Sequence, residues 1–167
     1  SLIKKAGITD YRRFSRIAIE AANGKPLSLE VLSDDFDEME RQALEIASWG
    51  ENVYVKVPIV TTTGESTAHL IRKLGLAGVK LNVTAVMTVE QIETAARSLI
   101  YAPAILSVFC GRISDTGRDV MPMLLKATHV KAPDTKLLWA STREVYNVVQ
   151  AEQARCDIIT CSPDILK

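Results

Sequence analysis

Six short apolar runs rich in β-branched residues recur at nearly even intervals along this 167-residue chain, and a helix-period stretch separates each from the next. They fall near Leu27–Leu32, Val53–Val57, Val79–Val83, Ala104–Phe109, Lys136–Ala140 and Asp157–Thr160. Strands that alternate with helices pair in parallel, because each crossover helix returns the chain to the same end of the sheet. Both faces of such a sheet are covered, so its strands read as near-continuous apolar runs. The spacing averages about 26 residues, close to one-eighth of a typical (β/α)8 barrel.

The helix-period stretches carry their own start and stop signals. The first opens at Asp10 behind Thr9 as its cap and closes near Gly24. Others span Asp35–Trp49, Glu65–Leu74, Val89–Leu99 behind a Thr88 cap, Val120–Val130 and Arg143–Arg155. Ser162-Pro163-Asp164 reads as one more helix start, with Pro at the first helical position. Two α/β architectures fit: an open doubly wound sheet, or a (β/α)8 TIM barrel with about six of its strands in this chain. No G-x-G-x-x-G and no G-x-x-x-x-G-K-[ST] follows any strand. The common nucleotide-binding versions of the open sheet therefore have no support. Residues 1–167 are read as a single domain.

Within the second run, Val53-Tyr54-Val55-Lys56-Val57-Pro58-Ile59, one lysine interrupts the apolar pattern. Taking an ammonium group out of water costs several kcal/mol unless it is paired or gives up its proton. A neutral lysine is a nucleophile and forms Schiff bases with carbonyl substrates. The bland alternative is a lysine that snorkels from a strand end or pairs with a carboxylate.

Catalytic groups of a barrel sit at the C-terminal ends of its strands. Here successive strands end in Glu30, Lys56, Thr84, Ser107 with Arg112 behind it, and Ser141 with Arg143 behind it. Singly, each has a structural reading as a cap, an edge charge or a solvated loop residue. Together they bring a nucleophile, a carboxylate, hydroxyl groups and two arginines to one rim. Arginine forks match phosphate geometry, so the set suggests a carbonyl substrate that also carries phosphate.

These residues also carry a resemblance. Val55-Lys56-Val57-Pro58 resembles the Schiff-base lysine strand of the transaldolase and fructose-6-phosphate aldolase family, and Leu81-Asn82-Val83-Thr84-Ala85-Val86 resembles its next strand. Ser107-Val108-Phe109-Cys110-Gly111-Arg112-Ile113 is similar to the family's Ser-Pro-Phe-Val-Gly-Arg-Ile segment, and Trp139-Ala140-Ser141-Thr142-Arg143 to its Gly-Ala-Ser-x-Arg segment. The resemblance implies a TIM barrel whose third to eighth strands are the six runs here. It implies that Lys56 attacks a ketose carbonyl, that Glu30 works through a water held by Thr84, and that Ser107 contacts a substrate hydroxyl. Arg112, Ser141 and Arg143 match its phosphate site. Glu30 and Phe109 stand where the aldolases have Gln and a proton-donating Tyr, which points to the transferase. The resemblance further implies a three-carbon dihydroxyacetone transfer in the pentose phosphate pathway, sugar-phosphate substrates, no cofactor, a cytoplasmic setting and a homo-oligomer.

The family's proton-shuttling aspartate lies in a Leu-Asp-Thr-Ala segment, and its substrate-binding asparagine in Thr-Thr-Asn-Pro. Neither occurs in this sequence. The expectation is a piece of such an enzyme, lacking the N-terminal βαβ unit and the C-terminal helix. The competing readings are a ketose-phosphate aldolase and a non-catalytic sugar-phosphate-binding fragment.

The remaining features are read as structural. Twenty basic residues balance twenty acidic ones, so nucleic acid is a poor partner. No apolar run reaches the ~18 residues that span a bilayer, and residues 1–5 are too short a region for a signal peptide. Three cysteines without a C-x-x-C fit a reduced, intracellular setting. His69 and His129 have no metal-ligand spacing. The acids of Ser33-Asp34-Asp35-Phe36-Asp37-Glu38 read as a helix N-terminus rather than a metal loop. Asp115-Thr116-Gly117 reads as a loop, and Cys110 as packing.

Overall fold

The computed structural model describes residues 7–167, so the reading of residues 1–5 lies outside the described residues. Six strands form: β1 (Leu27–Glu30), β2 (Val53–Pro58), β3 (Leu81–Val86), β4 (Ala104–Val108), β5 (Thr135–Trp139) and β6 (Ile158–Ile159). All neighbours pair in parallel, and the order across the sheet is the order along the chain, β1-β2-β3-β4-β5-β6. A doubly wound sheet reverses its order at a switch point; this sheet does not. It curls instead. Asn82 on β3 donates from Nδ2 to Ser28 Oγ on β1, 2.9 Å away, across the intervening β2. In a flat sheet those strands lie about 9.6 Å apart, so the contact requires the sheet to bend toward its inner face. The architecture is a curled half-barrel, matching the expected six strands of a (β/α)8 barrel.

Eight helices accompany the strands among the described residues: α1 (Tyr11–Ala22), α2 (Phe36–Ala47), α3 (Ala68–Leu76), α4 (Val89–Ser98), α5 (Cys110–Ser114), α6 (Met121–Val130), α7 (Tyr146–Gln153) and α8 (Pro163–Leu166). Their caps explain most boundaries. Asp10, not Thr9, caps α1 by accepting from Arg13 N at 2.9 Å. Asp35 caps α2, with Asp37 and Glu38 in its first turn, as the acidic run predicts. Thr88 and Gln91 form a capping box on α4. Three further expectations are corrected. Helix α3 starts at Ala68 rather than Glu65, because Val60 and Ser66 bridge and Glu65 is held in the preceding loop. It also runs through Gly75 and stops before Gly78, whose φ is +80°. Helix α7 starts at Tyr146 rather than Arg143, since Asn147 Oδ1 accepts from the backbone N–H groups of Arg143 and Glu144.

The core lies between the sheet and these helices. Val53, Val55 and Val57 point outward from β2, as do Leu81 and Val83 from β3, Leu106 from β4 and Leu137 from β5. They meet Met39, Ile46, Leu70, Leu74, Ile92 and Leu124 from the helices, all buried. The other set of alternating side chains faces the concave side. There Ile105, Leu138 and Ala140 form a small second cluster with Tyr54, Phe109 and Ile158. Among the described residues no helix is long and apolar enough to cross a membrane.

Candidate active site on the concave face

Strand β2 alternates strictly between buried and half-exposed positions, so Lys56 shares the inner face with Tyr54 and Pro58. Its side chain is 28% exposed, and its Nζ lies 3.7 Å from Glu30 Oε2. The register pairs Glu30 directly with Lys56, which puts both side chains on one face at one height. The lysine is thus accessible and carboxylate-paired rather than isolated in apolar surroundings. Glu30 is itself held from behind. The Tyr11 hydroxyl of α1 accepts from Glu30 N at 2.8 Å and donates to Glu30 O at 3.1 Å, as a neighbouring strand would.

On the next strand Asn82 is the register partner of Lys56, and Thr84 is the partner of Pro58. Thr84 is 1% exposed, and among the described residues its Oγ1 has no hydrogen-bond partner. Immediately after it Ala85 adopts φ +58°, and the β3–β4 register shifts there. Such a left-handed alanine is strained, and bulges of this kind re-aim the side chains beside them. Ser107 donates to Asn82 Oδ1 at 2.7 Å, and Asn82 passes the chain on to Ser28. Asn82 was not singled out from the sequence. Its signal was a lone amide alternating with buried apolar residues.

A second group gathers where β4 and β5 end. Gly111 sits so close to the other strand's end that a Cβ there would fall 1.7 Å from the Ser141 carbonyl oxygen. No residue but glycine fits that approach. Ser141 itself has φ +65°. Arg112 and Phe109 lie one helical turn apart around the start of α5, a helix not foreseen from sequence, and the guanidinium stands 4.7 Å from the ring centroid. Arg143 donates from Nε and Nη2 to the two carboxylate oxygens of Asp115, at 3.1 and 2.6 Å. That fork holds the Asp115 carboxyl below the usual carboxylate range. The structure therefore brings the expected residues into two groups on one rim: Glu30, Lys56, Thr84 and Ser107, and then Phe109, Arg112, Ser141 and Arg143.

Cys110 is fully buried in the outer core, where desolvation pushes its thiol upward, consistent with packing. Among the described residues no group of three or more His, Cys, Asp or Glu side chains is placed to hold a metal ion.

Comparison with known proteins bears on the whole chain. The family model for transaldolase/fructose-6-phosphate aldolase matches residues 2–167. A probable transaldolase of Methanococcus maripaludis (strain C7 / ATCC BAA-1331) is 31% identical over 169 residues, covering 99% of this chain and 74% of that protein. One from Roseiflexus castenholzii (strain DSM 13941 / HLO8) is 32% identical over 170 residues, covering 100% of this chain and 75% of its own length. A solved chain described as a native KDPGal structure overlays 95% of this chain and 80% of itself at 12% identity and a TM-score of 0.45, too loose a likeness to bear on function. The chain belongs to the transaldolase/fructose-6-phosphate aldolase family.

Proposed function

We propose that the concave face transfers a three-carbon dihydroxyacetone unit between sugar phosphates through a Schiff base at Lys56. The observation that carries this reading is the inner-face pair, Lys56 Nζ 3.7 Å from Glu30 Oε2, beside the unpartnered hydroxyl of Thr84. Lys56 adds to the ketose C2 carbonyl, and the carbinolamine loses water to give an iminium ion. Cleavage of the C3–C4 bond leaves its electron pair in an enamine and releases an aldose phosphate. The enamine then adds to an acceptor aldehyde, and hydrolysis frees the lysine. Glu30 and Thr84 together hold the water that moves protons at these steps. Ser107 contacts a substrate hydroxyl through the Asn82 chain. Arg112, Ser141 and Arg143 take the phosphate, with Phe109 under Arg112.

The proton of the C4 hydroxyl needs a base. The resemblance assigns it to an aspartate in a segment outside these 167 residues, so the assay includes the N-terminal βαβ segment of a relative supplied as a separate piece. The reading carries with it one barrel domain over residues 1–167, a cytoplasmic setting and a role in the pentose phosphate pathway. Turnover of fructose 6-phosphate only when an aldose-phosphate acceptor is present supports the transferase. Equal cleavage without acceptor assigns simple aldol chemistry. Phosphate-sugar binding with no borohydride-trappable adduct assigns a non-catalytic binding module.

A further inference from the structure

We propose that Asp115 is a positioning residue for Arg143 and sets the affinity of the rim for the substrate phosphate. This rests on the phosphate role given to Arg143 above. Three contacts pin Arg143. Its backbone N–H donates to Asn147 Oδ1 at 2.8 Å, and Asn147 is buried. Its Cγ would stand 3.1 Å from a Cβ on Gly111, so its stem runs along the glycine that meets Ser141. Its head is gripped side-on, Nε and Nη2 each donating to one Asp115 oxygen.

A side-on grip uses two of the five guanidinium N–H groups. Of the other three, the far one on Nη2 and the one on Nη1 that faces it form the end-on edge of the same planar fork. Asp115 thereby fixes the plane of the guanidinium and leaves free the edge that binds a tetrahedral anion bidentately. Its charge also opposes an incoming phosphate. Both side chains are about half exposed, at 48% and 52%, so water and salt screen that repulsion. The freedom that a long side chain loses on binding is not screened, and prior fixation removes that loss from the binding step.

The test titrates inorganic phosphate into the full chain by NMR, using wild type, Asp115→Asn, Asp115→Ala, Arg143→Ala and the double variant Asp115→Asn/Arg143→Ala. Both Asp115 variants are expected to weaken phosphate binding by about fivefold. Arg143→Ala is expected to weaken it further, and the double variant to match Arg143→Ala alone. With turnover reconstituted, Asp115→Asn should raise KM for fructose 6-phosphate by the same factor, leaving kcat and the kinetics of unphosphorylated dihydroxyacetone unchanged. Phosphate binding that stays the same or tightens in Asp115→Asn overturns the positioning role while leaving the phosphate site in place. Additive losses in the double variant overturn it too. A wild-type chain that binds no phosphate overturns the phosphate site itself, and this proposal with it.

Discussion

The outer and inner faces of the one sheet are built from alternate residues of the same strands, yet they do opposite things. The outer face is apolar and sealed: Val55, Val57, Val83, Leu106 and Leu137 are all 0% exposed beneath the helices. The inner face of the same strands carries a small apolar cluster around Ile105 and Leu138, and beside it polar side chains that pair with one another: Glu30 with Lys56, and Ser107 with Asn82 and Ser28. A one-residue slip of register would exchange the two sets. The outer face holds the fold together, and that leaves the inner face able to carry an orphan hydroxyl and a solvent-accessible lysine.

Substitutions on the two faces should therefore separate stability from chemistry. Leu106→Ala empties a fully buried outer position and is expected to cost about 2–5 kcal/mol in urea unfolding; a loss under about 1 kcal/mol would mean that the outer core is not close-packed. Thr84→Val is its inner counterpart. With no hydrogen bond to another protein group to lose, the change should leave stability within about 1 kcal/mol, while kcat falls about 100-fold through loss of the water that the proposed function gives Thr84. Equal losses of stability and kcat would erase the distinction between the faces. Gly111→Ala probes the rim between them. Its methyl must push back the Ser141 carbonyl, at about 1–3 kcal/mol of strain, and should weaken phosphorylated substrates more than dihydroxyacetone. The smallest effect is at Asp115. Its folded-state pKa lies below the unfolded value, so the Arg143 pair contributes stability above about pH 4 and loses it as the pH falls through the folded value. Carboxyl NMR should show Asp115 titrating below the ordinary aspartate range in wild type and returning toward it in Arg143→Ala.

The strands were legible because burial on the outer face forces apolar residues at every second position, and the lone lysine of β2 stood out against them. The helix caps at Asp35 and Thr88 were legible because they are local. What lay hidden is long-range. Tyr11 meets Glu30 across 19 residues, Arg143 meets Asp115 across 28, and Asn82 reaches Ser28 across 54. Nothing in the sequence near any of these residues names its partner. Helix α5 escaped notice because five residues give no period to read, and the start of α7 because Asn147 ties down the two residues that would have opened it.

The central claim is that the inner face is the chemical face and Lys56 its nucleophile. The most direct measurement is borohydride reduction in the presence of fructose 6-phosphate and the supplied N-terminal segment, followed by peptide mass mapping. The account predicts one reduced three-carbon adduct per chain, located on Lys56 and absent from Lys56→Arg, because a guanidinium forms no imine. An adduct on any other lysine, or full labelling of Lys56→Arg, would contradict it.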